Sequence, residues 1–254
     1  MQQTKLPQVK GVFFDLYGTL LILGDTKLAW SDWIDVLYAG LCPPEIAVTR
    51  ESFCDCCHQF FGKEEPSAEI ADGLTVFERR IHRLAASLRS QIELAVLKET
   101  ASRAVNAWQM QVQLDPEGPA VLSKLAEGKI LALISNFDHP PHAHRILRET
   151  GLAEYFKTVV ISGEVGIKQP NPEIFRIALQ QTCLTSDEVV YVGDTQEDVV
   201  GAMAAGIKPI LIARPEDPVR PKILDYTRNH EVAERAYNSS VLTIRSLRKL
   251  IGLI

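Results

Sequence analysis

No stretch of this chain stays apolar for the roughly 20 residues that a membrane-spanning helix needs, so a helical membrane protein is not expected. Basic tracts are missing too. Lysine and arginine number 27 against 32 aspartates and glutamates, the formal net charge is −5, and neither cation forms a run. Such a balance gives no general attraction to a polyanionic backbone, and nucleic acid is not an expected partner. Met1 to Lys10 lacks the apolar stretch and small-residue cleavage site of a secretory signal, which makes the cytoplasm the expected location. Cysteine is sparse and odd in number, at five, so a disulfide framework is not expected and a reducing compartment is the simpler setting. Cys54, Cys56, Cys57 and His58 crowd together but point in different directions on a helix. No second Cys or His pair follows at zinc-finger spacing, and they read as helix-packing thiols rather than a metal site.

What is present suits a globular chain with a sizeable core. Of 254 residues, 46% are hydrophobic and 23% charged, enough for one large domain or two modest ones. Val9 to Phe14 is an apolar run that ends in Asp15 and turns at Tyr17-Gly18-Thr19. Similar runs cover Ile130 to Ile134, Thr158 to Ile161, Val189 to Val192 and Pro209 to Ile212, with helix-like segments at His142 to Thr150, Pro172 to Cys183 and Thr195 to Ala205 between them. That alternation predicts an α/β fold, a Rossmann-like parallel sheet core with helices on both faces. Between Leu21 and Gln113 the period is helical, with no convincing strand and with helices near Lys27 to Tyr38, Ala47 to Phe61, Ser67 to Ser87 and Ile92 to Met110. The expected division is therefore a core of residues 1–20 and 114–254 with an inserted α-helical domain at 21–113. Arg214 to Asn229 reads as an exposed segment, and Val241 to Ile254 as a terminal helix packed through Leu247, Leu250 and Ile251.

In open parallel sheets ligands bind beyond the carboxyl ends of the strands, and the polar residues of this chain sit just after its apolar runs. Asp15 ends the first run, Ser135-Asn136 the second and Gly193-Asp194 the fourth, with Asp198 beyond; Lys168 lies in the loop after the third. Singly, each has a plain explanation, as a turn or cap residue or a surface charge. In order, each behind a separate strand, they supply a carboxylate nucleophile, a hydroxyl and amide for an anion, a cation, and acidic oxygens suited to Mg²⁺. Asp15, the Tyr17 carbonyl and Asp194 form the expected metal set, with Asp198 behind them.

Asp15-Leu16-Tyr17-Gly18-Thr19-Leu20, Ile134-Ser135-Asn136, Lys168 before Pro170, and Gly193-Asp194 with Asp198 resemble the four ordered motifs of the haloacid dehalogenase-like superfamily. The likeness spans Val9 to about Ile212, and the helical insert resembles the C1 cap of that family, which closes over the site and selects substrate. It implies an aspartyl-enzyme intermediate, usually an aspartyl phosphate, with Asp15, Tyr17, Ser135 and Lys168 as catalytic residues and Gly18, Thr19 and Asn136 joining Ser135 and Lys168 against the substrate. One departure stands out: phosphatases of the family mostly carry a second Asp two residues after the nucleophile, where this chain has Tyr17. A phenol with a pKa of about 10 is a poor general base at neutral pH. Tyrosine there also resembles the haloacid dehalogenases. Three readings follow: a Mg²⁺-dependent phosphatase of a small phosphorylated metabolite, a 2-haloacid dehalogenase, and a catalytically weak phospho-ligand binding protein, each as a monomer or homodimer. The insert offers Trp30, Trp33, Arg50, His58, Arg79, Arg80 and His82 for specificity, although aromatics three apart on a helix pack more often than they bind. His139, His142 and His144 read as a solvated helix entrance.

Overall fold

Val12, Phe13 and Phe14 are apolar in succession after Gly11, and Gly11–Phe14 lies extended as strand β1, buried on both faces. The computed structural model describes residues 9–58, 60–61, 73–214 and 241–254. After β1 the chain runs through β2 (Leu21–Leu23) into four helices, α1 (Thr26–Leu41), α2 (Arg50–Cys56), α3 (Val76–Ser87) and α4 (Leu94–Gln109), and continues into β3 (Val112–Leu114). The alternating part follows: α5 (Gly118–Ala126), β4 (Ile130–Ser135), α6 (Pro140–Glu149), β5 (Thr158–Ile161), the single turn α7 (Ser162–Val165), α8 (Pro172–Thr182), β6 (Val189–Gly193), α9 (Gln196–Ala204) and β7 (Lys208–Ile212). The described chain closes with β8 (Leu242–Ile244) and α10 (Lys249–Leu253).

Two units make up the described chain: residues 9–22, 114–214 and 241–254 form one, and residues 23–58, 60–61 and 73–113 the other. In the first, a six-stranded sheet runs in the order β5-β4-β1-β6-β7-β8, parallel at every pairing. Because successive side chains leave a strand on opposite faces, Phe13, Ala132, Ile134 and Tyr191 meet Ile174, Phe175, Ala178 and Ala202 of α8 and α9. Their neighbours Val12, Phe14, Leu131, Leu133 and Val192 are equally buried on the opposite face. Burial on both faces explains why the strands read as continuous apolar runs without alternation.

In the second unit Asp25 caps α1 by accepting from Lys27 N and Leu28 N, both at 3.0 Å, and Thr75 and Glu78 close a capping box on α3. Trp33, 3% exposed, stacks on Trp30 at 4.9 Å and meets Phe60, Phe61 and Phe77. Trp30 and Trp33 thus pack. No helix among the described residues is long and apolar enough to cross a membrane.

Several expectations need correction. β2 and β3 form a two-stranded sheet where no strand was expected, since three residues are too few to show a period of two. The helix expected over Ala47 to Phe61 is confined to α2: Thr49 caps its start by accepting from Ser52 N at 3.2 Å, and it ends at Cys56. Residues 67–72 of the expected third helix, and nearly all of the segment expected to be exposed after Arg214, lie outside the described residues. Val241 to Ile254 is not one helix, because Leu242–Ile244 pairs in register with Ile210–Ile212 at the sheet edge and leaves only Lys249–Leu253 helical. Leu247 and Leu250 are buried as expected, whereas Ile251 is exposed.

Phe175 is fully buried and meets Tyr191 edge-on with ring centres 4.9 Å apart. Phe175→Ala should cost about 3–5 kcal/mol in urea unfolding. A loss below about 1 kcal/mol would mean that α8 collapses onto the gap.

Candidate functional site

Asp15 leaves the sheet at the carboxyl end of β1, and its amide still donates to Val192 O at 2.9 Å on the β6 side. The side chain is therefore anchored at a strand end, 6% exposed. The chain then turns tightly: Leu20 N and Leu21 N both donate to Leu16 O, Gly18 N donates to Leu21 O at 2.6 Å, and Gly18 takes a φ of 93°, which favours glycine. Thr19 is fully buried, with its hydroxyl 3.5 Å from Asp194 Oδ1.

β6 ends beside β1 at Gly193-Asp194, and α9 begins at once. Thr195 is its N-cap and Asp198 closes the capping box, so Asp198 is held back against the strand end. Its Oδ2 accepts from Asp194 N at 3.1 Å, Thr195 N at 2.9 Å and the Thr195 hydroxyl at 2.5 Å, while Oδ1 accepts from the Tyr191 hydroxyl at 2.9 Å. A Cβ on Gly193 would lie 2.4 Å from Asp198 Cγ, so only glycine admits this approach. Burial raises the Asp198 pKa, against the pull of hydrogen bonds from Thr195, Tyr191 and Gln169. Oxygen atoms of Asp15, Asp194 and Asp198 all lie within 4.8 Å of one another, the one such grouping of three metal-capable residues among the described residues.

β4 delivers Ser135, 1% exposed, to the same edge. Asn136 follows and grips the next loop with both ends of its amide: Oδ1 accepts from Gln169 N at 2.8 Å, and Nδ2 donates to Gln169 O at 3.1 Å. Gln169, buried, donates from Nε2 to the Tyr191 hydroxyl at 2.6 Å. Lys168 is exposed; its charge lowers the pKa of Glu197, which burial and the Asp198 carboxylate together push up to about 7. Gly18 and Asn136 also hold loops: the Gly18 amide donates to Leu21 O, and the Asn136 side-chain amide pairs with the Gln169 main chain.

Tyr17 is half-buried, its ring stacked on Phe137 at 4.9 Å and 18°. Burial, then the Asp15 carboxylate, raise its pKa, against the opposing charge of Arg145, so the phenol stays protonated. Phe137 stacks in turn on His142 at 5.9 Å, and Arg145 Nη2 lies 2.8 Å from His142 Nδ1, which must accept. His139 and His142 are buried, not solvated, because α6 turns His142 inward with Ala143, Ile146 and Leu147. Burial, Arg145 and His139 lower the His142 pKa to about 3. His144 pairs with Glu164 at 2.7 Å.

In the second unit Arg50 is paired with Asp35 at 2.5 Å, Arg79 donates to Leu74 O at 2.6 Å, and buried Arg80 donates to Phe60 O at 3.3 Å. His58 and His82 are exposed. Cys57 is buried while its neighbour His58 is exposed, so the cysteine cluster does not share one facing.

Sequence reasoning missed Tyr191, Gln169, Glu197 and the Tyr17–Phe137–His142 stack. Two carried a readable signal: Tyr191 is the one polar-tipped residue in Val-Val-Tyr-Val, and Gln169 stands directly before Pro170.

A family model described as "Hydrolase: haloacid dehalogenase-like hydrolase" matches residues 9–206. The chain belongs to that family. Among its relatives, a phosphoserine phosphatase from Thermus thermophilus is 42% identical over 110 residues, covering 41% of this chain and 44% of that protein. The match thus spans less than half of the Thermus protein. A phosphoglycolate phosphatase from Yersinia pseudotuberculosis is 27% identical over 204 residues, 80% of each chain. Solved structures with the same fold include a HAD phosphatase from Thermococcus onnurineus, with TM-score 0.64, 20% identity and coverage of 95% and 96% of the two chains. A 2-haloacid dehalogenase from Pseudomonas syringae pv. Tomato DC3000 follows at TM-score 0.61, 20% identity, and 96% and 97% coverage.

Two outcomes follow from the geometry of this haloacid dehalogenase-like core. Gly193→Ala should lower stability by about 1–3 kcal/mol, because Asp198 cannot retreat without losing its donors; thermal unfolding checks this. His142 has a folded pKa of about 3 against an ordinary 6.5. Between those values the unfolded chain binds a proton that the folded chain refuses, so the His142 contribution is complete above 6.5 and is lost as pH falls towards 3. From about pH 7 to about pH 5 the protein should lose about 1–2 kcal/mol more unfolding free energy than His142→Gln, and equal losses would contradict the assignment.

Proposed function

We propose that this chain is a Mg²⁺-dependent phosphohydrolase of a small phosphorylated metabolite, working through an aspartyl phosphate on Asp15. The observation that carries the reading is the grouping of Asp15, Asp194 and Asp198 at the carboxyl ends of β1 and β6. Three carboxylates so close repel one another and any anionic substrate unless a cation joins them. The donor set is all oxygen, which fits a hard divalent ion. Asp15, Asp194 and the Tyr17 carbonyl would hold it, while Asp198, its oxygens already taken by Tyr191, Asp194 N and Thr195, fixes the loop that carries Asp194. Bound there, Mg²⁺ would neutralise charge developing on the phosphoryl group.

The chain's own groups account for the rest. An Asp15 carboxylate oxygen bonds to phosphorus as the ester P–O bond breaks, in line, with the Ser135 hydroxyl and the Lys168 ammonium oriented towards phosphoryl oxygens. The leaving oxygen takes its proton from water, because burial and the Asp15 carboxylate raise the Tyr17 pKa and the phenol gives up its proton poorly. Water then attacks the acyl phosphate and restores the Asp15 carboxylate. The inserted unit is the candidate cap that selects substrate. The names of the phosphoglycolate and phosphoserine phosphatase relatives support a small phosphorylated substrate.

Tyr17 favours a second reading, a 2-haloacid dehalogenase, in which Asp15 displaces halide from carbon and no acid is needed for the leaving group. A panel of phosphorylated metabolites assayed with Mg²⁺ and with chelator, beside a halide-release assay, separates the two. Phosphate release that chelator abolishes is expected; halide release indifferent to chelator would establish the second reading. Phosphorylated ligand held unchanged in both conditions would mark a binding protein. Asp15→Asn should remove turnover in either case. Tyr17→Asp should raise phosphate release by about 10-fold or more, since it restores a general acid and base. An unchanged or lower rate would refute the account of that position.

A further inference from the structure

The loop after Asp15 directs three consecutive carbonyls at two residues far away in sequence. Gly18 O accepts from Arg214 Nη1 at 2.7 Å and Thr19 O from Arg214 Nη2 at 2.7 Å, while Leu20 O accepts from Asp115 N at 2.9 Å. The same Arg214 Nη2 reaches Asp115 Oδ2 at 2.5 Å, and Asp115 Oδ1 accepts from Glu117 N at 2.8 Å. The pair is largely out of solvent, with side chains 11% and 5% exposed. Arg214 stands two residues beyond β7 and Asp115 directly after β3, so neither belongs to the four clusters at the sheet edge.

We propose that Arg214, oriented by Asp115, is a positioning residue that holds the loop bearing Asp15 and Tyr17 in its working turn. The chemistry of the guanidinium is what the arrangement needs. Its planar fork presents two N–H groups to adjacent carbonyls and a further one to the carboxylate, whereas a lysine ammonium is a single point that cannot span both carbonyls. A buried guanidinium without its carboxylate would be costly, so Asp115 fixes the fork and thereby the loop. Gly18, at a φ of 93°, gives the loop its freedom to turn, and Arg214 removes that freedom.

The test compares the full chain with Arg214→Lys, which keeps the charge, and Asp115→Asn, which keeps an acceptor for Glu117 N. The amides of Leu20 and Leu21, bonded to Leu16 O, and of Asp115, bonded to Leu20 O, should exchange hydrogen faster in both variants, while amides of β1 and β6 keep their protection. The effect on turnover rests on the phosphohydrolase reading: kcat should fall by about 100-fold in Arg214→Lys with KM changed by less than about 3-fold, as expected for a displaced nucleophile. Unchanged exchange at the three amides overturns the proposal, as does faster exchange throughout the sheet, which marks general stability instead. Faster local exchange with kcat unchanged in a phosphate-releasing protein overturns it as well. Should the unsubstituted protein release no phosphate, the phosphohydrolase reading fails and exchange alone decides the clamp.

Discussion

A carboxylate removed from water must have its oxygens satisfied, and the end of β6 is built around meeting that demand for Asp198. Tyr191 reaches up from inside the sheet, the amides of Asp194 and Thr195 turn back, and the Thr195 hydroxyl closes the cap. Tyr191 has a second duty. Tyr191 accepts from Gln169, Gln169 is held by Asn136, and Asn136 follows Ser135 at the end of β4. Three loops from three strands are therefore joined through one buried anion, and Gly193 is glycine because a side chain there would occupy the space of Asp198. Loss of any member leaves a buried polar group without its partner, which makes the network cooperative.

Residue 17 shows how the same scaffold biases its chemistry. A phenol stacked on Phe137, itself stacked on a neutral His142, is an apolar neighbour for Asp15 with its proton held firmly. Burial, together with Arg145 donating to Nδ1, keeps that imidazole from taking a second proton. The side of the loop carrying Tyr17 is thus short of mobile protons, whereas the side carrying Asp194 and Asp198 is rich in negative charge. For the proposed reaction, nucleophilic attack by Asp15 is compatible with both sides, and the Tyr17 side does not favour proton transfer to a poor leaving group.

Much of the core was legible because its physics is local. β1 and β6 are buried along their length, β4 from its second residue on, and β5 and β7 towards their carboxyl ends, so each shows an apolar run, and α8 and α9 carry caps. β2, β3 and β8 have three residues each, and their pairing with distant partners leaves no periodic trace. Asp15, Ser135, Asp194 and Asp198 could be named because they end or follow apolar runs. What could not be read was which neighbour turns inward: in the loop before Pro170 the cation drew attention, yet Gln169 is buried and Lys168 exposed. The histidines after Asn136 looked like a wet helix entrance because composition cannot show which face of α6 is buried.

The same limit explains Arg214 and Asp115. A salt bridge between residues 115 and 214 leaves no signature in either neighbourhood, since its partners meet only once the strands that precede them have found their places in the sheets. The loop that follows Asp15 is consequently fixed by two unlike means. At its start, the ladder with β6 sets the Asp15 backbone, an interaction common to every strand of a parallel sheet. At its far side, a guanidinium fork sets the carbonyls of Gly18 and Thr19, an interaction that only this side chain supplies. The first fixes the main chain at Asp15, and the second determines whether the turn beyond it, and with it the aim of the Asp15 carboxylate and of Tyr17, has one conformation or several.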